Sequence, residues 1–272
     1  MTYEHLVIDV TGPVATVSLN RPEVRNAMDE RTLDELADCF KRLGDGKKNP
    51  AVAAARVVVL KGEGPDFCAG ADVRWMRRAA DYPPAKNKKD AMRLVDAIRA
   101  VDECPLPVVG RLHGGIYGGG LGLVAACDVA VAADDARMCF SECRLGILPA
   151  VVSTFVLPKV GIGNTRRLYL TGEVFSMATA REVGLVHETV PAGELDARVD
   201  VFVRNILKNG PEALRRAKEY LRRMDAIGHE ARIKLSLDTL VKARSSGEGR
   251  EGLAAFLEKR PPAWLREEAL KP

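Results

Sequence analysis

Apolar and polar residues alternate at the start of the chain. Leu6, Ile8 and Val10, then Val14, Thr16, Val17 and Ser18, predict two strands around the turn Thr11-Gly12-Pro13. A loop over 20–23 follows. Asp29 is placed to cap a helix that carries Leu33, Leu36, Ala37 and Phe40 on one face. Residues 57–60 and 107–112 are short continuous apolar runs, the pattern of strands buried on both sides. A glycine-rich loop over 62–70 leads into a helix from Val73. Residues 81–90 are polar, with two prolines and three lysines, and read as a surface loop before a helix over 91–101. Residues 121–126 read as helix and 129–132 as strand. This alternation predicts an α/β core. From Gly193 onward the apolar spacing is helical, with Gly210-Pro211 breaking one helix and starting another. The expected organisation is therefore a core over 1–192 and a helical region over 193–272. Its apolar stripes call for a partner subunit.

The composition narrows the class. The chain has 272 residues, of which 47% are hydrophobic and 29% charged, as in ordinary globular proteins. No apolar run reaches the roughly 18 residues of a membrane span. The first five residues lack the blocks of a secretory signal. The net charge of +4 and an aromatic content of 5% speak against nucleic acid as the main partner. The six cysteines form no CxxC pair and have mostly apolar neighbours, the pattern of buried free thiols in a reducing cytoplasm. The four histidines show no metal-ligand spacing, and His113, before a glycine turn, reads as structural. The paired arginines 215–216 and 222–223 read as a solvated helix face.

Two segments share a design that matters for chemistry. Phe67-Cys68-Ala69-Gly70-Ala71-Asp72 and Gly118-Gly119-Gly120 each follow a buried strand and lead into a helix. Small residues let the backbone approach a ligand, and the first N–H groups of a helix lack internal partners. Two such groups aimed at one point form an oxyanion hole; taken alone, either loop reads first as a tight packing turn. Neither is followed by the GK[ST] of a phosphate loop. Glu142 stands in a mostly apolar segment, which raises a carboxyl pKa and suits a general acid/base. Period-two alternation would place Phe140, Glu142 and Arg144 on one face, so local sequence alone favours a structural Glu142–Arg144 pair.

These segments resemble the motifs of the crotonase (enoyl-CoA hydratase/isomerase) superfamily. They are Asn20-Arg21-Pro22-Glu23-Val24-Arg25-Asn26-Ala27-Met28, residues 67–73, residues 118–128, Ser141-Glu142-Cys143-Arg144-Leu145-Gly146 and the stretch 170–186. Their order matches over essentially the whole chain. The resemblance implies a crotonase-like spiral of ββα turns with C-terminal helices that assemble trimers or dimers of trimers. The substrate it implies is an acyl-CoA thioester, with no metal and no cofactor beyond the CoA of the substrate. Carried over by motif, the oxyanion hole falls on the N–H groups of Ala71 and Gly119. The CoA-binding loop falls on Ala69, Gly70, Ala71, Asp72 and Val73, with Arg25 and Ala27 beside it. Lys259 resembles a lysine that reaches CoA phosphate, often from a neighbouring subunit.

One departure stands out. Two-glutamate hydratases of the superfamily carry a glutamate three residues after the oxyanion glycine, and here that position is Gly122. Only the second carboxylate, Glu142, is kept. Gly122 and the run Leu148-Pro149-Ala150-Val151-Val152-Ser153 resemble the bacterial 3-methylglutaconyl-CoA hydratases of leucine breakdown and the isohexenylglutaconyl-CoA hydratases. That implies hydration of a 2-enoyl-CoA with a branched or acidic acyl group, taken up in the space above Gly122. An acidic group would want a cation from Arg74, Arg77, Arg78, Lys86, Lys88 or Lys89. The alternatives are a Δ3-Δ2 enoyl-CoA isomerase, then a decarboxylase or an RNA-binding relative.

Overall fold

The computed structural model describes residues 2–46 and 52–265. The two predicted N-terminal strands form as β1 (Leu6–Thr11) and β2 (Val14–Leu19), paired antiparallel with Leu6 opposite Leu19. Helix α1 (Glu30–Gly44) starts where Asp29 accepts from the Thr32 N–H at 2.9 Å. The apolar runs become β3 (Val57–Gly62) and β4 (Val108–Leu112), both almost wholly buried. Between them lie α2 (Val73–Ala80) and α3 (Pro84–Asp102).

The start of α3 overturns the loop expected over 81–90. Pro84 occupies the first helical turn, where its fixed φ and missing N–H do no harm, and the lysine-rich stretch behind it is made of good helix formers. Lys86 rests over the Tyr82 ring at 3.6 Å.

Beyond β4 come β5 (Gly115–Tyr117), α4 (Gly119–Ala126), β6 (Val129–Ala133) and β7 (Arg137–Cys139). Helix α5 (Ala150–Thr171), β8 (Phe175–Ser176), α6 (Met177–Glu182) and β9 (Glu188–Val190) complete the α/β part. One sheet has the order β1-β2-β3-β4-β6-β9, parallel from β2 onward. A second, smaller sheet has the order β5-β7-β8. This is the α/β architecture that the resemblance implies.

Four further helices follow, α7 (Leu195–Leu207), α8 (Pro211–Asp225), α9 (His229–Ser245) and α10 (Gly247–Leu257). The sequence groups α7 with the terminal helices. The fold instead lays it on the sheet, where Leu195, Val199 and Val203 pack with Val57, Val59, Val109 and Val131. Helix α8 is tied to the core by Lys218, whose ammonium donates to Asp128 at 2.7 Å and to the Leu106 carbonyl at 3.1 Å. Its arginine face is solvated and ion-paired, Arg216 with Glu212 and Arg223 with Glu219. No helix of the described residues is long and apolar enough to cross a membrane.

All six cysteines are free. Five are buried as expected, and Cys143 is the exception, exposed on the turn beside Glu142.

Candidate active site

The first glycine loop is held by the first motif. Asn26, buried, donates through its side-chain amide to the carbonyls of Glu63 and Asp66, both at 2.8 Å. Arg25, at φ 57°, turns its guanidinium onto Asp66, with Nε to Oδ2 at 2.6 Å and Nη2 to Oδ1 at 3.0 Å. Asp66 also accepts from the Gly115 N–H at 2.6 Å, so one carboxylate joins the first motif to β5. The Arg25 hydrogen bond, foremost, holds the Asp66 carboxyl below the usual carboxylate range. Ala27 contributes its carbonyl to Arg21 at 2.6 Å, and the Ala69 N–H donates to the Arg25 carbonyl at 2.9 Å.

Met28 sets the orientation of Ala71. Its N–H donates to the Gly70 carbonyl and its carbonyl accepts from the Asp72 N–H, both at 2.8 Å. In such a parallel bridge the intervening residue's N–H points away from the strand that brackets it. The Ala71 N–H therefore has no protein acceptor among the described residues. Asp72 caps α2 by accepting from Arg74 at 2.8 Å, while the Val73 side chain is exposed.

The second loop supplies a matching donor. Gly118 sits at φ 47°, a conformation that favours glycine, and turns the chain from β5 into α4. Gly119 is the first residue of α4, where an N–H has no intrahelical partner and carries partial positive charge. A β-carbon built on Gly119 would lie 3.7 Å from the Ala71 nitrogen, so the two loops meet at this point.

Glu142 faces the same place. The side chain expected on a strand lies instead on a 3-10 turn, Glu142–Leu145, that follows β7. A β-carbon on Gly118 would lie 3.2 Å from Glu142 Oε1, and Glu142 Oε2 is buried with no hydrogen-bond partner among the described residues. Burial pushes the Glu142 carboxyl above its ordinary range, opposed only by its own backbone N–H. Phe140, buried beneath the turn, stacks near Tyr169 and Phe175 with ring centroids 4.6 and 6.1 Å away. The Glu142–Arg144 pair does not form. The tight turn breaks the two-residue alternation, and the Arg144 guanidinium lies against Gly172.

These elements enclose a cavity of about 210 Å³. Ala69, Gly70, Ala71, Val73, Gly118 and Gly119 line it, as sequence reasoning indicates, together with Glu142. Sequence reasoning did not assign Met76, Leu94, Ser141, Leu145 or the apolar residues 147–152 to the site; Ser141, Leu145 and the run from Leu148 stood in motifs, while Met76 and Leu94 carried no signal. Apart from Ser141 and Glu142, the lining side chains are apolar, and none is basic. Arg78 pairs with Glu30 at 2.8 Å. Arg25 and Lys259 do not line this cavity, and Lys259 is exposed on the turn after α10 at φ 54°. A larger open groove of about 850 Å³, lined by Glu30, Lys86 and Arg93, shares no residue with it.

The space above Gly122 is filled. A β-carbon there would lie 2.6 Å from Ile98 Cδ1 and 2.7 Å from Val152 Cγ1. His113 is satisfied elsewhere, with Nε2 on the Gly64 carbonyl at 2.9 Å and Nδ1 near Arg111 at 3.1 Å.

Two N–H groups on adjoining loops, without protein acceptors among the described residues, an apolar slot and one desolvated carboxylate define an enzyme class. Such a site can stabilise an enolate oxygen while moving a proton. The comparisons with known proteins agree. The model of the enoyl-CoA hydratase/isomerase family matches residues 9–267. The crystal structure of an enoyl-CoA hydratase from Shewanella pealeana superposes with a TM-score of 0.90 at 32% identity, covering 96% of each chain. Pseudomonas aeruginosa AtuE superposes with a TM-score of 0.90 at 31% identity, over 97% of this chain and 100% of that one. A crotonyl-CoA hydratase of Syntrophomonas wolfei is 29% identical over 96% of this chain and 97% of its own length. The chain belongs to the enoyl-CoA hydratase/isomerase family and is an enzyme of the crotonase superfamily.

Proposed function

We propose that the protein hydrates a short, neutral 2-enoyl-CoA, with Glu142 as its one acid/base. The observation that carries this reading is that Ala71, Gly119 and the Glu142 carboxylate border one apolar cavity. The thioester oxygen accepts from the two N–H groups, each donor worth about 2.7–4 kcal/mol as enolate charge develops. Glu142 takes a proton from water as the water oxygen bonds to C3, and the proton is returned to C2. No metal or redox group takes part, and CoA is carried in by the substrate.

A branched dicarboxylic acyl group, as in the glutaconyl esters, would need a cation at the cavity. The apolar lining without a basic side chain favours a neutral acyl group. The small volume, below the roughly 300 Å³ at which drug-sized pockets begin, favours a short one.

A second reading has one observation in its favour. With Ile98 and Val152 over Gly122, no second carboxylate holds a water. A single carboxylate suffices to move a proton from C2 of a 3-enoyl-CoA to C4. Product analysis by NMR, with crotonyl-CoA and a 3-enoyl-CoA offered separately, decides between the two. The hydration reading expects 3-hydroxyacyl-CoA from crotonyl-CoA, and 2-enoyl-CoA from the 3-enoyl ester as sole product would replace it.

Assembly into trimers or dimers of trimers belongs to the same proposal, with Lys259 meeting CoA phosphate in a neighbouring site. It is supported by the exposure of Leu237, Val241, Leu253, Phe256 and Leu257 on α9 and α10. Light scattering on the purified protein checks it, and a monomer at all concentrations would end it.

A further inference from the structure

Three helices approach one another below the cavity, and each contributes in two successive layers. Leu94 on α3, Gly119 on α4 and Val152 at the start of α5 line the cavity itself. One turn further along α3 and α4, on the same faces, stand Ile98 and Gly122. Ile98 is fully buried and Val152 nearly so, 0% and 2% exposed. Their terminal carbons lie where a β-carbon at position 122 would be, at 2.6 and 2.7 Å from it. The missing side chain of Gly122 is thus replaced by two aliphatic ends brought in from neighbouring helices.

We infer that Ile98 and Val152, meeting over Gly122, form the floor of the acyl cavity and set the length of chain it accepts. This rests on the acyl-CoA reading above. Below the floor the three-helix interface continues as apolar core, with Leu123, Val124 and Val156 all fully buried. A cavity opened downward would therefore stay apolar and dry, and would admit hydrocarbon rather than water. Ser141 and Glu142 are the only polar side chains of the lining, so the floor discriminates by length and shape, not by hydrogen bonding. Carbon removed from Ile98 lengthens the cavity between α3 and α4. Carbon removed from Val152 widens it at the wall.

The test is binding rather than turnover, so that it is independent of which reaction Glu142 performs. Saturated acyl-CoA esters of increasing chain length are titrated calorimetrically into the full-length protein and into Ile98→Ala, Ile98→Val and Val152→Ala. In the unaltered protein each methylene that still enters should tighten binding about fourfold, until the chain meets the floor and the gain stops. Ile98→Ala should move that break to longer chains. Ile98→Val, which removes a single carbon and keeps the packing, should move it less and in the same direction. Val152→Ala should favour branched over linear esters of equal carbon number. A break at the same chain length in Ile98→Ala and Ile98→Val as in the unaltered protein, or no shift toward branched esters in Val152→Ala, would overturn the inference. Failure of the unaltered protein to bind any acyl-CoA would instead overturn the acyl-CoA reading on which it stands.

Discussion

Arg25 and Asp66 form the joint beneath the first glycine loop. The two side chains share two hydrogen bonds, at 2.6 and 3.0 Å, although Arg25 is 53% exposed and Asp66 only 10%. Removing the arginine strands a nearly buried carboxylate that still accepts from Gly115. Arg25→Ala is expected to cost about 1–3 kcal/mol of stability. Because Arg25 holds the Asp66 pKa down, the stabilisation is present above the ordinary aspartate range and fades as pH falls through the depressed value. Thermal melts should show the gap between Arg25→Ala and the unaltered protein narrowing in acid.

Glu142 behaves in the opposite sense. Burial raises its pKa above the reference value of 4.5, so its charge destabilises the fold once it ionises. Stability linked to Glu142 is full below the unfolded-state pKa and is lost as pH rises through the folded-state value. Glu142→Gln should therefore melt higher than the unaltered protein at neutral pH, with the difference vanishing in acid. The same change should lower kcat/KM by about 10²–10⁴ while CoA-ester binding persists. The acid limb of the kcat/KM profile should lie above pH 4.5 and disappear in the variant.

Gly119 admits no side chain. A β-carbon there would meet Met28 Cε at 3.0 Å and the edge of Leu94 at 3.6 Å. Gly119→Pro also removes the N–H. Both Gly119→Val and Gly119→Pro should reduce turnover by at least about a hundredfold, the scale of one lost oxyanion donor. Steady-state kinetics on folded protein checks this, and retention of a tenth of the activity would remove Gly119 from the mechanism.

Position 122 should resist a restored carboxylate. Gly122→Glu would drive a charged side chain into Ile98 and Val152, with no partner offered there. Even Gly122→Ala is expected to destabilise by about 1–3 kcal/mol through overpacking. Denaturant unfolding measures this, and crotonyl-CoA hydration should not improve in either variant.

Local rules carry much of the frame of the fold. Strand patterns placed β1 to β4 and the Asp29 cap placed α1, and the motifs singled out Ala71, Gly119 and Glu142, which border one cavity. What sequence reasoning could not see was set by distant packing. The two-residue alternation around Glu142 implied a pair with Arg144, yet the chain leaves β7 for a 3-10 turn that sends Arg144 toward Gly172. The lysines of 86–89 looked like a loop because polarity is shared by loops and solvated helices, and the helix start at Pro84 decided otherwise. Gly122 read as vacant space, since nothing local tells that Ile98, 24 positions earlier, would fill it.

Helix α7 carries one last consequence. It is the cover of the valine face of β3, β4 and β6, not a spacer leading to the terminal helices. A fragment ending at residue 192 would leave Val57, Val59, Val109 and Val131 facing water, an adhesive plane prone to self-association. The smallest piece of this chain that could stand as an autonomous unit therefore extends through Leu207. Beyond it, Arg56 beside β3 grips the carbonyls of Leu207, Asn209 and Trp264 within 3.0 Å. The α/β part and the C-terminal helices are thus interlocked, and exchange of terminal helices between relatives is feasible only by grafting after that clasp or by carrying its arginine along.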